Sequence, residues 1–250
     1  MLGILSIIKF ELSRFKRTLL QSLVVPILTT FLYLLVFGQA IGRSVNDYVV
    51  DYALFIVPGV ILLSVFNESL MNSSFGIYLP KFTGTIYEIL SAPLYPFQVV
   101  IGYVTAATLK SILIGFLILI SSKFLLDFEI EHIFYFCLGL LLIALNFCLI
   151  GFLIGIYSKS FDNLQFFPNL ITTPLTFLGG AFYSISKLPD FFYILSLFNP
   201  LFYFIDFFRW TLLGINEVPI AQSLTIMLSI LILSFLATIL SIKKGDLKIS

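Results

Sequence analysis

Apolar residues in this chain fall in long blocks, without the every-other-residue alternation of a half-buried strand. Blocks at about 19–37, 53–74, 98–120, 133–157, 163–183 and 222–242 each approach the roughly 20 residues that a helix needs to cross a bilayer core. Glu68 interrupts the second and Lys110 the third. The pattern predicts an all-α polytopic membrane protein with six transmembrane helices. No small-residue cleavage site follows the first block promptly, so it reads as a retained span rather than a signal peptide.

A further apolar piece, 191–213, reads differently. Asn199-Pro200 divides it, and proline inside a helix costs about 3 kcal/mol. Two half-helices of about ten residues reach about 15 Å each, half the thickness of a bilayer core. We read a re-entrant hairpin over 188–214, before the last span. Asp206 and Arg209 sit at i and i+3 on its second half, where they can face one another.

Two amphipathic pieces lie outside the spans. Residues 2–17 place Ile4, Leu5, Ile8, Leu12 and Phe15 on one helical face and Ser6, Lys9, Ser13, Lys16 and Arg17 on the other. Such a helix lies in the membrane interface with its basic face toward anionic headgroups. It is either a topology anchor or a docking surface. The loop 80–97 is punctuated by Pro80 and Pro93; Thr85 can cap a helix beginning at Ile86, with Glu88 placed as in a capping box. That short helix is either an ordinary interfacial helix or a lever pushed by a soluble domain.

Composition agrees with the block pattern. Of 250 residues, 60% are hydrophobic and 11% charged, against about 45–50% and 25% in soluble domains. The net charge of +1 gives no field that would attract nucleic acid. Charge does decide orientation. With six spans, Lys9, Arg14, Lys16, Arg17, Lys81, Lys159, Lys243, Lys244 and Lys248 share one side. The other side holds Arg43, Lys123, Lys187 and Arg209 among eight acids that include Asp47 and Glu129. Loops rich in Lys and Arg stay in the cytoplasm, so both termini are predicted to be cytoplasmic. Cys137 and Cys148, 11 residues apart in one apolar run, are too far apart on a helix for a disulfide.

Candidate chemistry is sparse. Glu68 and Lys110 are intramembrane charges, and each costs at least ~2.5 kcal/mol unless paired or facing water. Three readings stay open: a mutual pair, separate lining of a polar pathway, or positions near an interface. The single histidine, His132, excludes His-rich metal sites, and no Gly-Lys pair exists to begin a phosphate-binding loop. Any ATP energy must come from another subunit.

One stretch is more specific. Ser158-Lys-Ser-Phe-Asp-Asn163, Pro168, Thr173-Pro-Leu-Thr-Phe-Leu-Gly-Gly-Ala-Phe-Tyr183, Leu188-Pro189, Phe198-Asn-Pro200 and Phe208-Arg209 resemble the C-terminal signature of ABC-2-type transporter permeases. The likeness extends through Pro58-Gly59, Gly84-Thr-Ile-Tyr-Glu88, Ala92-Pro93 and Gly214-Ile-Asn-Glu-Val-Pro219, and is strongest to the short bacterial inner-membrane members.

The resemblance implies one permease domain over 1–250, acting as a dimer with two ATP-binding cassette subunits in an exporter. ATP and Mg would then sit on those partners, with no cofactor or metal held by this chain. It also implies an interface helix over 2–17 and a coupling helix in the 80–97 loop carried by Thr85, Ile86, Glu88, Leu90 and Pro93. The hairpin with Asn199, Pro200, Asp206 and Arg209 would close the outer end of the pathway. Under that reading Gly179 and Gly180 let the fifth helix end or bend, and Pro174 removes one of its hydrogen bonds. Close helix packing explains the same three residues. The cargo class implied is lipid-linked, polysaccharide-like or amphipathic. The competing reading is an ion-coupled secondary transporter using Glu68 and Lys110.

Overall fold

A computed structural model describes residues 2–41 and 51–243. Every helix or strand among them is helical. In order they are α1 (Leu2–Arg17), α2 (Leu19–Tyr33, continued by a π-wound stretch Leu34–Ile41), α3 (Tyr52–Thr83), α4 (Ile86–Ser91), α5 (Pro96–Leu125), α6 (Ile133–Tyr157) and α7 (Phe161–Leu178). A 3₁₀ turn (Ile185–Lys187), α8 (Asp190–Leu197), α9 (Pro200–Leu213) and α10 (Ile220–Lys243) follow. Arg43, Asp47, Lys244 and Lys248, on which the orientation argument partly leans, lie outside the described residues.

Among the described residues, four helices are long and apolar enough to cross a membrane by themselves: Tyr52–Thr83, Phe97–Leu125, Ile133–Tyr157 and Ile220–Ile242. The number rises to as many as six if the bent pairs α1/α2 and α8/α9 are one span each, a set that includes the piece read as a hairpin and omits the expected fifth span. The expected fifth span differs most. Its helix, α7, has 18 residues but is not among the four, because Asp162, Asn163, Gln165 and Asn169 dilute its apolar content. The second span also differs: α3 runs nine residues past Ser74, through Pro80, to Thr83. It stops where Gly84 takes the left-handed conformation at φ +78°, which glycine adopts without steric cost.

The long helix α3 is buried along most of its length and forms the centre of the bundle, packed by α5, α6 and α9. Its tightest neighbour is α6, where two glycines four residues apart remove the side chains that would hold the backbones apart. A Cβ on Gly151 would lie 2.4 Å from the Leu70 carbonyl oxygen, and one on Gly155 2.5 Å from that of Ser74. Asn146, fully buried on α6, donates to the Leu142 carbonyl of its own helix and to that of Met227 on α10, at 2.8 and 3.3 Å. That second bond ties the last helix to the bundle.

Candidate functional site

The residues read as functional gather at two ends of the bundle. At one end, Gly84 turns the chain from α3 into α4, whose first residue is Ile86. The expected Thr85 cap is not formed. Thr85 already has helical backbone angles, and its hydroxyl meets that of Thr83 at 2.9 Å. Lys81 donates to the carbonyl of Ile156, one of the carbonyls left unpaired at the end of α6. Ile86 is buried beneath α4, whereas Tyr87, Glu88 and Pro93 are exposed; Leu90 lies in the same helix.

Between α4 and α1 lies a cavity of about 1000 Å³. Ser6, Ile7 and Arg14 form its wall on α1, and Glu88 and Ile89 face them from α4.

The stripe of α1 that faces protein is Ile7, Glu11 and Phe15. The apolar face expected from the sequence is therefore only partly the buried one: Leu5 is 60% exposed. Glu11 is the residue that amphipathic reasoning missed. It is 2% exposed and lies 2.8 Å from the Arg14 guanidinium. The Lys110 ammonium, 4% exposed, is 3.7 Å from the same carboxylate oxygen. Phe15 presents its ring to Lys110 at 5.5 Å.

Of the three readings open for Glu68 and Lys110, the direct mutual pair is not formed. Lys110 points from α5 toward α1, and Glu68 accepts a hydrogen bond from Asn72 one turn along its own helix, at 2.9 Å. Spacing along two spans gave their depths but not their rotation about the helix axes, which chose the partners. A signal for Glu11 was present: an intramembrane lysine requires an acid, and α1 contains one.

At the opposite end, α7 finishes at Leu178 and the chain passes through Gly179 to Gly180, at φ +72°. Pro174 lies inside α7. Gly59 of α3 packs so closely on the following turn that a Cβ there would lie 2.3 Å from the Ala181 carbonyl oxygen. α8 and α9 meet at 87° across Phe198-Asn199. Asn199 organises the corner, since its side-chain oxygen caps α9 at the Leu201 N–H and its amide donates to the Leu175 carbonyl of α7, at 3.0 and 2.6 Å. Pro200 occupies the first turn of α9, where a missing N–H is harmless.

Asp206 and Arg209 lie close enough for the Arg209 charge to favour the Asp206 carboxylate, as the i, i+3 spacing suggested, but their direct partners are in the following loop. The Asp206 carboxylate accepts the N–H groups of Glu217 and Val218, at 2.7 and 3.3 Å. Arg209 pairs with Glu217 at 3.2 Å, donates to the Gly180 carbonyl at 2.8 Å, and stacks over Phe55 with its guanidinium carbon 4.0 Å from the ring centre. Both residues are 1% exposed. The loop after α9 folds back over its last turns, so it supplies partners that a helical-wheel argument cannot include. Arg209 thus joins that loop, the turn after α7 and the start of α3.

Residues 3–213, from the beginning of α1 to the end of α9, match the family described as ABC-2 type transporter. The chain belongs to the ABC-2 type transporter family. It is 36% identical over 236 residues to the "inner membrane transport permease YadH" of Escherichia coli (strain K12), covering 94% of this chain and 92% of that protein. Nodulation protein J of Rhizobium leguminosarum bv. trifolii is 26% identical over 228 residues, covering 90% and 87%. Membership makes this ABC-2 chain the membrane subunit of an ABC transporter, a transport component that pairs with an ATP-binding subunit. The α4 end and α7 to α9 fall within the matched residues; Glu217 and Val218 of the returning loop, and α10, lie beyond them.

Proposed function

We propose that this chain is the permease subunit of an ATP-driven exporter in the bacterial inner membrane. Two copies work with two ATP-binding cassette subunits, both termini are cytoplasmic, and the cargo is lipid-linked, polysaccharide-like or amphipathic. The inner-membrane assignment follows the name of the YadH relative.

The observation that carries the reading is α4. It is a short helix with Tyr87 and Glu88 exposed, set between Pro80 and Pro93 and separated from α1 by an open cavity. A soluble subunit can grip such a helix, and the cavity gives it room to move.

The test is co-expression with the ATP-binding subunit and purification of the complex. Glu88→Arg reverses the exposed charge on α4 and should reduce the co-purified ATP-binding subunit or separate ATP hydrolysis from export, with the permease still inserted. Normal assembly together with normal transport would place the contact elsewhere. Export sustained by an ion gradient without nucleotide would establish the secondary-transporter alternative.

A further inference from the structure

The ion pair between Glu11 and Lys110 belongs to neither the exposed face of α4 nor the outer hairpin. We propose that it is a latch that fixes α1 to the middle of α5 and carries movement at the α4 cavity into the membrane-spanning bundle. The proposal of a moving latch rests on the reading of α4 as the coupling helix; the attachment of α1 to α5 does not.

α1 runs beside the first half of α5. Ile7 meets α5 at Gly102, where a Cβ on the glycine would lie 2.9 Å from that of Ile7. One turn further along α1, Glu11 reaches Lys110. The same side of α1 borders the cavity through Ile7 and Arg14, with Ser6 at its margin, facing Glu88 and Ile89 of α4, and Tyr103 of α5 lines the cavity too. Arg14 belongs to both sets, being a cavity wall and the second cation on Glu11. A push by α4 into the cavity therefore acts on the face of α1 that a charge within a span holds.

The pair is only partly satisfied. Lys110 lies 3.7 Å from Glu11 Oε2, an ion-pair distance longer than a hydrogen bond, and Arg14 holds that same oxygen at 2.8 Å. Glu11 Oε1 and the nearby Tyr103 hydroxyl are buried without a hydrogen-bond partner. A buried network with open valences can take a second arrangement. A small rotation of α1 would let Oε1 take Lys110 while Arg14 keeps Oε2.

The test uses the full chain in membranes, with Cys137 and Cys148 replaced by alanine and the pair Ile7→Cys, Gly102→Cys as reporter. The atoms crowding a new Cβ at residue 102 belong to Ile7 itself, and that substitution removes most of them. The readout is the rate of disulfide formation between α1 and α5 in protein inserted at the parental level.

Glu11→Gln and Lys110→Met should each slow closure about tenfold, and the double variant should be no slower than the slower single one, because one interaction is being removed. Lys110→Arg, which keeps the charge, should retain most of the parental rate. Parental rates in both single variants, or single effects that multiply in the double, would overturn the latch. Glu11→Gln alters a single atom, so it carries the test even if Lys110→Met fails to insert.

In the complex with the ATP-binding subunit, nucleotide turnover should change the closure rate with Lys110 present and leave it unchanged in Lys110→Met. A rate indifferent to nucleotide in both, in a complex that hydrolyses ATP, would reject movement and leave a static anchor. Absence of any ATP-binding partner would refute the proposed function and leave the first measurement standing.

Discussion

Gly151→Ala adds one methyl group where α6 crosses α3, and the geometry sets the size of its effect. The new Cβ would sit 2.4 Å from the Leu70 carbonyl oxygen, about 1 Å inside ordinary contact. The obstacle is backbone in a long buried helix and cannot rotate aside as a flexible side chain would. The helices must separate locally, and a radial gap of 0.5–1 Å forfeits about a quarter to a half of each van der Waals contact. Overpacking of this kind costs about 1–3 kcal/mol, and glycine's lower helix propensity returns up to about 1 kcal/mol. The net effect is about 1–2 kcal/mol of destabilisation.

For a soluble domain of this size that would lower the melting temperature by about 2–8 °C. The assay is thermal unfolding of the detergent-purified chain, followed by loss of the monodisperse peak. Gly155→Ala, with its Cβ 2.5 Å from the Ser74 carbonyl oxygen, should behave similarly. Once the helices have parted for one methyl, the second meets less obstruction, so the double variant should cost less than the sum. Unchanged melting in both single variants, or strict additivity in the double, would refute the close crossing.

Asn199→Ala removes the cap on the Leu201 N–H and leaves the Leu175 carbonyl without its amide donor. It should destabilise by about 2–3 kcal/mol and increase protease cleavage near the α8–α9 corner, whereas Asn199→Asp should keep the cap and lose the bond to Leu175. Reporter fusions after Asp162 should read as cytoplasmic and fusions at Lys187 as external; a cytoplasmic reading at Lys187 would overturn the six-span topology.

The sequence by itself determined what depends on local composition. Uncharged length made helices the only way to satisfy backbone groups in lipid, and the break at Asn199-Pro200 follows from residues whose backbone preferences act locally. The family was legible too, because its signature is a run of residues in order.

Tertiary structure alone decided partners. Lys110 lies nearest Glu11 rather than Glu68, and Asp206 and Arg209 take their direct partners from the returning loop, because the rotation of each helix about its axis and the path of each loop fix which polar groups meet. A helical wheel carries no information about a neighbouring element. For the same reason the Gly151–Gly155 pair reads in sequence only as small residues in an apolar helix, and becomes a crossing point once α3 lies against it. The extra turns of α3 beyond Ser74 were hidden because polar residues and Pro80 resemble a loop. Contacts with α4, α6 and α7 hold that segment helical, and packing there outweighs local propensity.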